Sequence, residues 1–331
     1  MSLSARRGAF ATDAAGNRRA APGRGRLQAT GARGRARLVA ARDFSRAGVR
    51  HVALMELVYH LPRIDLRDYI RCYYFFTADQ AVVQPLCAEI GNIRVLVSGS
   101  ARLRFADGLM TRCPSAFVIG PTTSAYVAEI DSGARVFGAG ILPRGWDAIL
   151  GVSAEHAADR MLDVTALEWR AGAPVIDAIQ NARSISEMAA IADTFFARRL
   201  EQRARRVSAY PRALEAWITH GSDLELDRLV EMMDVSRRQT DRLAKRYFGA
   251  SPKLLQRKYR ALRAADMLGK PGGDWRAAAG ESFYDQSHFI KEFRAFVGVT
   301  PQEYLNKQAQ LTAISRAERK RIVDRHPLAS L

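Results

Sequence analysis

Arg238, Arg242 and Lys245 stand at i, i+4 and i+7, a spacing that puts three cationic side chains on one face of a helix. From Arg237 to Arg263 the chain holds ten basic residues against one acid, Asp241, a net charge of +9 over 27 residues. A charge run by itself is an ordinary solvated face. It suits a second chemistry as well, the neutralisation of a polyanion such as a nucleic-acid duplex. The choice between the two depends on what positions those side chains.

The elements that position them occur twice. "VSRRQTDRLAKRYFGASPKLL" (Val235 to Leu255) and "FYDQSHFIKEFRAFVGVTPQEYL" (Phe283 to Leu305) share one skeleton, 49 residues apart. Both carry Gly-x-Ser/Thr-Pro, at Gly249 to Pro252 and at Gly298 to Pro301, and Ser236 and Asp285 stand thirteen residues before the respective glycine. Ser and Asp are good N-caps. Gly suits the left-handed residue that ends a helix. Ser/Thr-Pro restarts one, with the hydroxyl as cap and Pro at the first helical position. In the second unit Phe289, Phe293 and Phe296 form a buried stripe, preceded by a short helix in "DWRAAAGE" and a turn in "ESFY". In the first, "SDLELDRLVEMM" offers Ser222 as cap with Leu226, Leu229, Val230 and Met233 inward. The sum, helix, turn, helix and packing helix, is a helix-turn-helix plan. Pro252 to Leu268 between the units predicts one helix about 25 Å long.

These residues resemble the signature of the AraC/XylS family of bacterial transcription regulators. Asp285, Ser287, Phe289, Phe293, Gly298, Thr300, Pro301 and Tyr304 carry the resemblance, which spans about residues 210–305. It implies two helix-turn-helix units on one monomer, reading adjacent major-groove segments. By match to the family's base-reading positions, Arg238, Asp241 and Arg242 in the first unit and Gln286, Ser287, His288 and Lys291 in the second are the expected base contacts. Arg237, Lys245, Lys253 and Arg257 are expected at phosphates, where they set register rather than sequence. Thr240 and Ala244 replace a Leu and a Phe usual in the family, so Leu243, Tyr247 and Phe248 are expected to supply that core. Ser282 stands where the turn usually has Gly.

Upstream, residues 56–150 read as β-rich. "NIRVLVSGSARLRFADG" alternates and turns at Asp107-Gly108, and "SAFVIGPTTSAYVAEIDSGARVFGAGILP" adds short strands broken by Gly and Pro. This half is similar to the cupin-like sensory half of one AraC-like subgroup, through "LPRIDLRDYIRCYYFF" and "GAGILPRGWDAILG". Val175, Ile176, Ile179, Ile185, Met188, Ile191, Phe195 and Phe196 then fit an apolar helical stripe. The expected fold class is α+β: an N-terminal β-rich cupin-like domain with trailing helices, then an all-α domain of two helix-turn-helix units joined by a long helix. The expected domains are a basic tail without structure at 1–54, an effector or dimerisation domain at 55–205, a DNA-binding domain at 211–305 and a tail at 306–331. Residues 1–50 hold twelve Arg and two Asp, so +10 of the chain's +17 lies in that tail; a native start near Met55 is expected. Aromatics at Tyr73, Tyr74, Phe75, Phe76, Phe117 and Tyr126 serve a core, and Tyr74, Phe76, Phe117 and Tyr126 are also the candidate lining of an effector pocket.

Enzyme readings fare worse. A cupin metal site needs clustered histidines, and none of the six lies between Leu61 and Glu155. Cys72, Cys87 and Cys113 follow no metal-ligand spacing and have no neighbouring His for an activated thiol, so they read as reduced thiols. "GPTTSAY" lacks the Lys of a phosphate loop. No cofactor or metal is expected. The expected protein is a cytoplasmic, non-enzymatic regulator that binds double-stranded DNA and answers to a small effector. RNA polymerase and a second copy of the chain are its further partners, and no membrane is involved. The competing readings are a ligand-independent DNA-binding protein whose first half only dimerises, and a cupin-type metal enzyme.

Overall fold

The computed structural model describes residues 34–41, 52–164, 172–202, 209–220, 225–269 and 285–306. Apolar alternation builds the first half as eleven strands: β1 (Gly34–Ala41), β2 (Val52–His60), β3 (Ile70–Ala78), β4 (Val82–Leu86), β5 (Asn92–Ser98), β6 (Ala101–Arg104), β7 (Met110–Arg112), β8 (Ala116–Ile119), β9 (Tyr126–Ile130), β10 (Arg135–Ile141) and β11 (Met161–Asp163). They pair antiparallel in two sheets, one of seven strands in the order β1-β2-β3-β10-β5-β8-β11 and one of four in the order β4-β9-β6-β7. The expected β-rich half is present.

Strand parity divides its core. On β3, Cys72, Tyr74 and Phe76 join the cluster between the sheets, whereas Tyr73 and Phe75 join the cluster on the opposite face. That second face is covered by α3 (Gly172–Asn181) and α4 (Ile185–Gln202), whose Ile179, Met188, Phe195 and Phe196 are buried against it. The Tyr73 ring stacks on Phe137 at 5.6 Å and on Phe196 at 6.4 Å, and its hydroxyl donates to Asp193 Oδ1 at 2.8 Å. The predicted apolar stripe is therefore core.

One expectation fails here. The stretch read as a tail without structure contains β1, which pairs with β2 from Gly34 opposite Tyr59 to Ala41 opposite Val52. β2 also begins before Met55. Adding a strand to a sheet edge uses backbone N–H and C=O groups that any non-proline residue owns, so composition does not announce it. The rest of that stretch, the "DWRAAAGE" and "ESFY" segments, Ser222, Ser282 and residues 307–331 lie outside the described residues.

Two short helices, α1 (Pro143–Gly145) and α2 (Ala154–Ala157), flank a π-helical turn at Trp146–Leu150. Among the described residues the second half is built of helices: α5 (Tyr210–His220), α6 (Leu226–Met233), α7 (Arg237–Phe248), α8 (Pro252–Leu268), α9 (Gln286–Val297) and α10 (Pro301–Leu305). Its core gathers Trp217, Leu229, Tyr247 and Phe248 from the first unit and Phe289 and Phe293 from the second around Leu255, Tyr259, Leu262 and Ala265 of α8. Cys87, Ile90 and Leu142 of the β-rich half belong to the same cluster. The two halves thus share apolar packing.

Candidate nucleic-acid interface and barrel cavity

Each recognition helix is built as its residues dictate. Ser236 caps α7 by accepting from Gln239 N, and Asp285 caps α9 by accepting from His288 N. Gly249 and Gly298 end them in the left-handed region, at φ 76° and 90°. Ser251 and Thr300 cap the helices that follow, each with Pro at the first position; Thr300 and Glu303 complete a reciprocal capping box. Thr240 and Ala244 are fully buried, and Leu243, Tyr247 and Phe248 fill the core as expected. The smaller residues are tolerated because Thr240 Oγ1 donates to the Ser236 carbonyl, so its hydroxyl is not buried unpaired.

The outward faces carry much of the expected set. Arg238 and Arg242 on α7 and Gln286, Ser287 and Lys291 on α9 are exposed, and so is Lys253 at the start of α8. Asp241 pairs with Lys245 at 2.9 Å, one turn on, rather than with an arginine. Arg237 pairs with Asp227 on α6. His288 is partly exposed, and its Nε2 lies 3.5 Å from Glu292 Oε1. Glu292 is buried on the inner side of α9 and accepts from Arg257 Nε at 2.5 Å and from Arg260 Nη2 at 3.0 Å. Burial pushes its carboxyl up, but those two guanidinium groups outweigh burial and hold it below the ordinary carboxylate value. Arg257, expected at a phosphate, therefore braces α8 against α9.

The basic run also divides. Arg263 donates to the Ile218 carbonyl at 2.8 Å, and Lys258, counted in the cationic face from sequence, is buried. Lys258 Nζ donates to the carbonyls of Glu89, at 2.9 Å, and Thr122, at 2.8 Å, both on loops of the β-rich half. Burial pulls its ammonium down to about 8. Sequence spacing gives no sign of this, because a buried Lys and an exposed one occupy identical letters on an amphipathic helix.

That β-rich half encloses a cavity of about 120 Å³. Tyr74, Phe76 and Phe117 are among its lining residues. Tyr126, also expected there, is not among the lining residues; its hydroxyl stands behind two that are, accepting from Arg94 Nη2 at 3.0 Å and donating to Glu89 Oε1 at 2.5 Å. Arg94 also donates to Tyr74 Oη at 2.7 Å and pairs with Glu89 at 3.2 Å. Gly138 makes room for this: a Cβ there would collide with the Tyr74 ring. All three cysteines line the same cavity, buried and outside any disulfide, and burial pushes Cys113 up to about 11, away from reactive thiolate. Among the described residues no group of three or more His, Cys, Asp or Glu could hold a metal ion, and no helix is long and apolar enough to cross a membrane. One further lining residue comes from the other half: Leu262 of α8, one turn beyond Lys258. Arg94, Glu89, Arg71 and Leu262 were not singled out from sequence; strand parity would have placed Arg94 beside Tyr74, but Glu89 lies on a loop and Arg71 has the opposite parity to Tyr74 on β3.

Residues 229–307 match a family model described as a helix-turn-helix domain, and residues 59–163 match a domain of unknown function, DUF6597. No curated protein matches the chain. Solved structures similar to it include ToxT from Vibrio cholerae, at 16% identity and a TM-score of 0.42, covering 70% of this chain and 98% of that one. A fatty acid-bound wild-type ToxT from Vibrio cholerae strain SCE256 matches at 13% identity and 0.41, covering 70% and 94%. The AraC-like transcriptional activator CuxR matches at 15% and 0.30, covering 69% and 86%. The helical part thus carries a helix-turn-helix domain over residues 229–307, within the stretch whose sequence resembles the AraC/XylS family of transcription regulators.

Proposed function

We propose that this AraC-type DNA-binding regulator reads two successive major-groove segments of one duplex site with α7 and α9, and that a small molecule in the barrel cavity sets its affinity for that site. The DNA half of the reading is supported by two capped helices of equal length on one stiff spacer, with exposed Arg238 and Arg242 on one and Gln286 and Lys291 on the other. Arg suits guanine O6 and N7, and Gln suits adenine N6 and N7. The effector half rests on a single observation: Leu262, on the helix that joins the two recognition units, forms part of the cavity wall. Whatever fills that space touches the spacer of the DNA-binding half, which is the differential contact that linkage between the two sites requires.

Selection of bound duplexes from a random pool tests the first half. A recovered site with two short conserved segments about one helical turn apart is expected. Binding without sequence preference at moderate salt would defeat it. Screening metabolite pools for a rise in melting temperature tests the second half, and a ligand that binds without changing DNA affinity would reduce the barrel to a structural or dimerising role.

A further inference from the structure

Glu89 faces two ways. Its side chain lines the cavity with Arg94 and accepts from the Tyr126 hydroxyl, while its backbone lies in the contact between the two halves. Its carbonyl accepts from Lys258 Nζ at 2.9 Å and from Thr122 N at 3.1 Å, and its own N–H donates to Thr122 Oγ1 at 2.9 Å. Glu89 and Thr122 so form one paired acceptor for the buried ammonium of α8. The preceding residue, Ala88, donates its N–H to the Phe296 carbonyl at 2.7 Å, in the last turn of α9. One dipeptide thereby holds both the spacer helix and the second recognition helix.

The chemistry inside the cavity says what would disturb it. Among the described residues lining the cavity, the charged ones are Arg71, Arg94 and Glu89, two guanidinium groups against one carboxylate. A buried guanidinium keeps an anionic partner because leaving it bare costs several kcal/mol. Glu89 is that partner for Arg94, and an anion entering the cavity is its direct competitor. An uncharged ligand would leave the Glu89–Arg94 pair in place. The volume, near that of an engineered cavity of about 150 Å³ that accepts benzene, limits the apolar body of the ligand to roughly that size.

Resting on the reading of the cavity as an effector site, we infer that the effector is a compact monoanion, a carboxylate on a benzene-sized or smaller apolar body. By taking Arg94 from Glu89, it shifts the Ala88-Glu89 backbone and releases Lys258 and the end of α9. The shift required is small, because a buried ammonium held by two carbonyls has no water to accept it when one moves away.

The test uses the full chain with isovalerate and benzoate as probes and their amides as uncharged controls. Both acids are expected to raise the melting temperature and to change amide hydrogen exchange at Ala88 by about fivefold or more, whereas the amides do neither. Glu89→Gln is expected to show the acid-bound exchange rate with no acid present. If that variant does not fold, Tyr126→Phe, which removes only the hydroxyl beside the pair, is expected to move exchange in the same direction. Lys258→Met is expected to bind the acids as the wild type does while its affinity for the selected duplex no longer responds to them. Acids that bind without altering exchange at Ala88, amides that act as well as acids, or no binding of either acid would overturn the inference. A wild type that selects no duplex would instead defeat the DNA-binding reading, and the melting and exchange measurements would still decide this one.

Discussion

Gly249 and Gly298 occupy the same turn of two repeated units, and both press against the β-rich half. A Cβ on Gly249 would stand 3.2 Å from the Ala154 carbonyl oxygen and from Ala158 Cβ. A Cβ on Gly298 would stand 2.9 Å from Pro85 Cβ and 3.1 Å from Ala125 Cβ. Around the second glycine the contact is reinforced by backbone: Ala125 N–H donates to the Ala295 carbonyl at 2.8 Å, beside the Ala88 to Phe296 bond. Orphan carbonyls at the end of a recognition helix are satisfied by the neighbouring half. Near the first, Arg246 reaches Asp147 at 2.7 Å. The cap that ends each helix is also the point at which the barrel holds it.

Gly298→Ala is expected to cost more than Gly249→Ala. Each loses about 1–2 kcal/mol from a left-handed backbone that L-residues resist. Gly298→Ala adds a collision with Pro85, so denaturant midpoints should rank wild type, then Gly249→Ala, then Gly298→Ala. Equal midpoints for the two variants would show that the Pro85 contact yields freely.

Arg242→Ala is expected to lose about 1–3 kcal/mol on the selected site and to relax preference at one base pair. Lys253→Ala, at the start of the spacer, is expected to weaken all sequences alike and to reduce the salt slope by about 0.9. Titrations on the selected and scrambled duplexes at several salt concentrations separate the two. A uniform loss for Arg242→Ala would move that residue to the phosphate class.

Glu292→Ala is expected to destabilise the chain by about 3 kcal/mol, because Arg257 and Arg260 lose a carboxylate that is itself buried. Arg257 is partly exposed, so solvent screens its share, and most of the loss belongs to Arg260. The Glu292 carboxyl is held below its ordinary value, so its contribution is present above that value and fades as pH falls through the lowered one. The difference in stability between wild type and variant should therefore narrow in acid.

Glu215 on α5 predicts the opposite slope. It is buried, and burial lifts its carboxyl from the ordinary 4.5 to about 7, against the pull of Arg144 and Arg212. The folded state then holds more protons than the unfolded state between those two values. This group's contribution is full below 4.5 and is lost as pH rises toward 7, by on the order of 2–3 kcal/mol. Glu215→Gln, which keeps the neutral shape, should match the wild type at pH 5 and exceed it at pH 8. Parallel stability curves for the two proteins would show that the carboxyl is ionised throughout.

The sequence by itself determined the helical half, because its signals are local. Ser236, Asp285, Gly249, Gly298 and the two Ser/Thr-Pro pairs act on their own turn of chain, and Phe289, Phe293 and Phe296 mark a helix face by spacing alone. The outward face of Arg238 and Arg242 followed from the same spacing. Tertiary structure alone decided which strand parity faces inward, and with it that Tyr74 and Phe76 enter the cavity while Tyr73 and Phe75 meet the helices. It decided that Lys258 is buried and that Arg257 turns to Glu292. It also decided that β1 extends the sheet. Those outcomes depend on partners more than thirty residues away, or on backbone groups common to nearly every residue, and no local pattern of letters records either.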